Sequence, residues 1–228
     1  MLSLLLIQIS KCSKDLLTPA ELYQQFINDL KATTALEYIA VFFGIASVWY
    51  SRKESILVYP LGLINTVIYI YLSFSQALLG EAAVNFYYTV MSIYGWILWS
   101  RKDIQHKVVI HITRSDKKEW RNQLLFFAFF YIIIFVALSY LKKNFAPAAI
   151  PWADAFASAT AFTGMWLMAR KKVESWYWWI STNIASIPLY FVKHFVFTSF
   201  YYIVLLGMAI SGLIAWMKKA DYNRSSDL

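Results

Sequence analysis

Apolar stretches separated by short charged connections run through most of the chain, and seven of them are long enough to be read as membrane spans. The pattern predicts spans at Leu36–Tyr50, Ser55–Ser73, Leu78–Trp99, Leu124–Leu141, Trp152–Ala169, Ser175–Val192 and Ser199–Met217. About 20 apolar residues, at roughly 1.5 Å each, cross the 30 Å of a bilayer's hydrocarbon. Lipid offers the backbone no hydrogen-bond partner, so segments of this length must be helices. No stretch alternates in the manner of a transmembrane β-barrel strand. Ahead of the first span, Thr18-Pro19-Ala20-Glu21 has the form of a capping box with proline at the first helical position. It predicts a helix to about Lys31, with Leu22, Phe26 and Leu30 at spacing four, lying on the membrane surface. Met1–Ile7 is apolar but too short to span, and it lacks the basic start and cleavage pattern of a signal peptide.

Composition supports a membrane protein. Of the 228 residues, 60% are apolar, 19% aromatic and only 15% charged. A soluble domain has about 25% charged residues, so a soluble enzyme is a poor reading, as are disorder and a disulfide scaffold. The single cysteine, Cys12, rules out an intrachain disulfide and a multi-cysteine metal site. A net charge of +8 would suit nucleic acid, but the basic residues sit at the ends of apolar runs, so no nucleic-acid partner is expected. With alternating connections, fifteen Lys and Arg fall on one face, including Arg52, Lys53, Arg170, Lys171, Lys172, Lys218 and Lys219. The other face holds six, namely Lys11, Lys14, Lys31, Lys142, Lys143 and Lys193. The positive-inside rule then places the N-terminus outside and the C-terminus in the cytoplasm.

An internal repeat gives the spans an order. Glu54-Ser55 opens the second span, and Glu174-Ser175 opens the sixth 120 residues later. At the same offset Gly44 meets Gly164; after a three-residue shift, Gly95 and Trp99 meet Gly212 and Trp216. The expected fold is an all-α polytopic membrane protein with seven transmembrane helices. Two parallel three-helix repeats (36–101 and 151–219) are joined by one linking helix (123–141). Residues 1–35 form an N-terminal segment, 102–122 a basic cytoplasmic connection and 220–228 a cytoplasmic tail. Parallel repeats occur in the SWEET sugar facilitators, whose substrate sits near mid-membrane between them.

No catalytic signature is present. His106, His111 and His194 lie in connections, and there is no phosphate loop or nucleophile elbow. Glu37, Glu54, Glu81, Asp154 and Glu174 all fall near span ends, which argues against a proton- or cation-coupled carrier and favours passive movement. The polar groups at depth are amides, hydroxyls and rings. Trp176, Trp179 and Asn183 share one face of the sixth span, continued by Ser186 and Tyr190. Asn85, Tyr88 and Ser92 share one face of the third, and Asn65 stands in the second. Such amides either join helices or face a solute. A flat ring bearing hydroxyls suits them, because the ring stacks on Trp or Tyr while the amides bond the hydroxyls. A cationic ring gains further from an aromatic face.

Three segments resemble the PnuC-type bacterial nicotinamide riboside transporters. They are Leu61-Gly62-Leu63-Ile64-Asn65, Ser92-Ile93-Tyr94-Gly95-Trp96 with Trp99, and Glu174-Ser175-Trp176 through Trp179 to Asn183, the last of the form WxxWxxxN. The resemblance implies seven helices in a SWEET-like arrangement, a homotrimer in the bacterial inner membrane, and facilitated diffusion of nicotinamide riboside. It also implies coupling to a cytosolic nicotinamide riboside kinase, and no cofactor or metal. By the motif Trp176, Trp179 and Asn183 are substrate-binding candidates. Asn85 stands where relatives tend to have glutamine, and Tyr202 matches a tyrosine of the last span; Tyr88 and Asn65 complete the set. The alternatives are a facilitator for thiamine, riboflavin or a deoxynucleoside, and, in another class, a membrane-embedded enzyme or receptor.

Overall fold

A computed structural model describes residues 18–75, 79–102, 109–142, 149–193 and 195–226. The apolar opening Met1–Ile7, Cys12, His106, His194 and Leu78 lie outside these residues. Eight helices are described: α1 (Pro19–Ala32), α2 (Ala35–Arg52), α3 (Val58–Ser75), α4 (Leu79–Ser100), α5 (Lys117–Leu141), α6 (Pro151–Ala169), α7 (Ser175–Val192) and α8 (Val196–Ser226). The β-pairing among the described residues is an isolated bridge between Thr113 and Lys172. The protein is an all-helical, multi-pass membrane protein. By length and apolar content α3, α5 and α8 each suffice to cross a bilayer, and α1 with α2 forms a pair bent by 102°. The other expected spans, α2, α4, α6 and α7, are helices of 18 to 22 residues. Counting spans by apolar length overlooks that a helix lining a polar interior needs only one lipid-facing side.

The caps explain where helices begin. At α1, Thr18 Oγ1 accepts from the Glu21 N–H while the Glu21 carboxylate accepts from the Thr18 N–H. Thr34 with Glu37 and Asp116 with Glu119 repeat this reciprocal pairing at α2 and α5. α1 is tied to α8 by Phe26, whose ring meets Phe197 and Phe200, and by Asp29, which accepts from the Phe197 N–H. α8 continues to Ser226, past the expected end of the last span.

Six helices close a ring in the order α2, α3, α4, α6, α7, α8, and α5 packs outside it against α6. α5 is also held by Gln123, fully buried, which accepts from the Trp178 indole N–H and donates to Ser115. At the end carrying most of the Lys and Arg, opposite helices of the ring meet. Trp99 on α4 donates to the Ala169 carbonyl, and Trp216 on α8 donates to the Ser51 carbonyl, each at 3.1 Å. The two indoles lie 6.2 Å apart. Tyr59 stands edge-on to Trp99, and Trp176 edge-on to Trp216. Both arrangements need a glycine. A Cβ on Gly95 would fall 2.4 Å from the Tyr59 ring, and one on Gly212 would fall 2.5 Å from Trp176.

These groups set the internal register. Tyr59, Gly95 and Trp99 match Trp176, Gly212 and Trp216 at a constant offset of 117 residues. The start of α3 matches that of α7, and the start of α4 that of α8, at the same offset. Glu54 therefore corresponds to Lys171, not to Glu174 as the Glu-Ser match implied. The backbone gives the reason: Glu54 (φ 58°) and Lys171 (φ 53°) each take the left-handed conformation one residue beyond a helix C-cap. Their side chains meet across the ring, with Lys171 Nζ 2.7 Å from the Glu54 carboxylate and 4.6 Å from the Trp99 ring centre. Lys219 pairs with the same carboxylate.

Burial alone would raise the Glu54 carboxyl, but the hydrogen bonds and charges of Lys171 and Lys219 outweigh it and hold the group below its ordinary value of 4.5. A depressed carboxyl stabilises the fold above the unfolded-state value, and that contribution disappears as pH falls through the folded-state value. The unfolding midpoint should therefore hold steady from neutral pH to about 5 and fall below 4.5. Glu54→Gln should lower stability by about 3 kcal/mol, because Lys171 is left buried without its counter-charge, and should flatten that acid limb. Thermal unfolding across pH checks both. Gly95→Ala and Gly212→Ala should each cost about 1–3 kcal/mol through the ring clash.

Candidate functional site

Beyond the closed end, a stripe of α7 faces the interior at spacings of three and four: Trp179, Asn183, Ser186 and Tyr190. Trp179 lies flat under Gly164, where an added Cβ would sit 3.2 Å from the indole. Tyr88 of α4 reaches across the ring to within 6.2 Å of Trp179, between ring centres. Phe162 lies at 6.1 Å from Tyr88, and Tyr87 stacks on Phe162 at 4.0 Å. Further along, Tyr202 of α8 stacks on Tyr190 at 5.2 Å, with its hydroxyl toward Tyr190 and Ser186. Beyond Tyr190, Lys193 bonds Asp154 at 2.6 Å.

Asn183 is 3% exposed, and its amide has no hydrogen-bond partner among the described residues. Among the described residues the fully buried unpartnered groups are those of Tyr59, Ser175 and Trp176 at the closed end; the Asn183 amide is not one of them, so it is open to a partner that is not part of the chain. Its helix neighbour Thr182 shows the contrast, bonded to Thr160 at 2.9 Å. Aromatic faces at Trp179 and Tyr88, next to a free amide, suit a flat ring with polar substituents.

The remaining candidates divide. Asn65 donates to the Ala40 carbonyl at 2.7 Å and so joins α3 to α2. Asn85 donates to the Glu81 carbonyl of its own helix at 2.9 Å, so its amide hydrogens are turned along α4 rather than across the ring. Trp176 is packed into the aromatic cluster at the closed end, 1% exposed, with its indole N–H unpartnered. It shares a helix face with Trp179 but lies in a different layer. Trp179, Asn183, Tyr88 and Tyr202 are the candidates brought toward one interior stripe. Phe162 joins them without having been singled out, since nothing in its spacing separates it from the sixteen other phenylalanines.

The profile of the family described as nicotinamide mononucleotide transporter matches residues 34–218. The chain belongs to this family. Among curated relatives, it is 24% identical to the nicotinamide riboside transporter PnuC of Escherichia coli, over 81% of this chain and 86% of the relative. It is 23% identical to the riboflavin/roseoflavin transporter RibM of Streptomyces davaonensis, over 76% and 80%. Its fold matches the crystal structure of the vitamin B3 transporter PnuC with a TM-score of 0.67, at 21% identity, covering 88% of this chain and 90% of that one. Family membership makes the protein a transporter, not an enzyme.

Asn183→Leu keeps the volume and removes the amide. If the amide bonds the solute, affinity should fall about 5- to 150-fold by calorimetry, with little change in thermal stability. Asn65→Leu should do the opposite, lowering folded yield through the lost α2–α3 bond while the folded fraction binds as the parent does.

Proposed function

We propose that the protein carries nicotinamide riboside across the bacterial inner membrane by facilitated diffusion with alternating access. The observation that carries this reading is the family match over residues 34–218, to which relatives named for nicotinamide riboside lend the substrate. The site supports it. Nicotinamide riboside is a flat pyridinium with a hydroxylated sugar. Its ring stacks on Trp179 beside Tyr88, its positive charge gains from the aromatic faces, and Asn183 bonds a polar substituent. Tyr202 lines the approach, and Trp176 supports the site from the closed layer below.

The architecture proposed with it is seven transmembrane helices in a SWEET-like 3+1+3 arrangement: α2–α4 and α6–α8 as parallel repeats, α5 as the linking helix. The constant offset of 117 and the crossed Trp99 and Trp216 bonds favour two copies about one axis. The basic closed end faces the cytoplasm and the N-terminus lies outside, with α1 on the outer surface. The exposed apolar side of α5, with Leu125, Ile132 and Val136, suits lipid and a homotrimer contact. Phosphorylation by a cytosolic kinase then retains the product.

A second reading, riboflavin or a related flat vitamin, is favoured by the similarity to RibM. Calorimetry comparing nicotinamide riboside with riboflavin on the purified protein separates the two. The first reading expects binding of the riboside alone; binding of riboflavin alone overturns it.

The carboxylates of this chain stand near helix ends, as with Glu37 and Asp154, so the solute gradient alone should drive flux. In liposomes, uptake of labelled riboside should continue unchanged when proton and sodium gradients are dissipated. Uptake that stops while the riboside gradient persists would show coupling.

A further inference from the structure

The two halves of the ring are alike in their closing hardware but not in what they present above it. At the offset that superposes Tyr59 on Trp176, Trp179 corresponds to Gly62 and Asn183 to Thr66. The ring-bearing position of one half is thus a glycine in the other. α3 and α7 stand at opposite positions of the six-helix ring, and a Cβ on Gly62 would point between its ring neighbours α2 and α4. A Cβ placed on Gly62 would meet the Ser47 hydroxyl at 3.2 Å and the Ser92 hydroxyl at 3.7 Å. The Ser47 hydroxyl already donates to the Val58 carbonyl. Ser92 is 2% exposed, and its hydroxyl has no hydrogen-bond partner among the described residues. It lies one turn beyond Tyr88 on α4, the residue that reaches Trp179. Thr66 cannot stand in for the Asn183 amide, because it is engaged with Thr89 at 2.9 Å.

We infer that Gly62 and Ser92 form the second wall of the substrate site, Gly62 leaving room for the ribosyl half of the nucleoside and Ser92 bonding one of its hydroxyls. This rests on the nicotinamide riboside reading above. A single solute in a two-fold arrangement can stack on only one of two equivalent rings. The glycine at the other equivalent position places no side chain where a second indole would otherwise stand, and leaves the Ser47 and Ser92 hydroxyls beside it. The Ser92 hydroxyl bonds no other described residue, and neither does the Asn183 amide opposite; neither group is among the atoms fully shut off from solvent. Ring and sugar are then received by different halves, and binding draws the two halves onto one solute.

The test is calorimetric titration of the full-length protein with nicotinamide riboside, with thermal unfolding on each variant. Gly62→Ala should weaken binding, and Gly62→Val should weaken it further, about tenfold or more. Ser92→Ala should cost about 5- to 10-fold, the loss of one neutral hydrogen bond in a dry site. Gly207→Ala on α8, where an added Cβ meets nothing within 4 Å, serves as the control and should bind as the parent does. Should Gly62→Val fail to fold, the Gly62→Ala and Ser92→Ala variants decide. Parent-like affinity in a folded Ser92→Ala protein, or in the folded Gly62 variants, overturns the inference while Asn183→Leu still reports on the site. A parent protein that binds no nicotinamide riboside overturns the functional reading itself, and the ribosyl assignment with it.

Discussion

The buried pair of Glu54 and Lys171 is the interaction on which the arrangement turns. Each residue sits in a left-handed backbone conformation that side chains other than glycine's adopt at a cost of about 1–2 kcal/mol. Such strain persists where the surroundings over-determine it. Here each turn ends the first helix of its half, and the two side chains join them: Lys171 to the Glu54 carboxylate, and to the Trp99 face beneath it, beside the Ser51 hydroxyl that donates to the Met168 sulfur. With the turns fixed, the carbonyls of Ser51 and Ala169 point where Trp216 and Trp99 can donate to them. The indoles then bring α4 and α8 together across the ring. One end of the passage is shut by this sequence of contacts.

Closing an end with rings has a cost in polar groups. The Tyr59 hydroxyl, the Ser175 hydroxyl and the Trp176 indole N–H are buried there without partners. Each omission costs about 1–3 kcal/mol. Two of the three are the equivalent residues that wedge against Gly95 and Gly212. The layer favours edge-on ring contacts and a close approach at glycine over complete hydrogen bonding. A closure made this way is firm but not saturated in its hydrogen bonds.

Much of this was legible in the sequence, for physical reasons that differ by element. Apolar runs and capping boxes marked the helices, because backbone pairing in lipid leaves few choices and Thr18 with Glu21 is a local signal. The Gly95–Trp99 and Gly212–Trp216 matches marked the repeat, because a ring against a glycine fixes both residue types. The Glu54 match was displaced by three residues, since a Glu-Ser pair carries no information about which residue takes the left-handed turn. Asn65, Asn85 and Asn183 looked alike as amides at depth. Only their surroundings separate them: Asn65 bonds a neighbouring helix, Asn85 its own, and Asn183 nothing among the described residues. A spacing rule places side chains on a face, but it does not say which layer is packed shut, so Trp176 and Trp179 read as one group when three residues separate a structural ring from one facing the passage.

The same contacts bear on which charge the passage accepts. The chain carries an excess of +8, yet the lysines nearest the ends of the polar stripe are already engaged, Lys171 with Glu54 and Lys193 with Asp154. Between them the stripe offers indole and phenol faces, hydroxyls and one free amide, all neutral. Among the described residues of the stripe a phosphate would lose water without meeting an unpaired cation, and desolvating an ion without a partner is far costlier than leaving a hydroxyl unpaired. A pyridinium loses less, because aromatic faces replace part of its hydration. The family takes its description from a mononucleotide, while the groups gathered around Trp179 and Asn183 in this chain are neutral. Lys171 and Lys193, at the two ends of the stripe, join helix ends through Glu54 and Asp154.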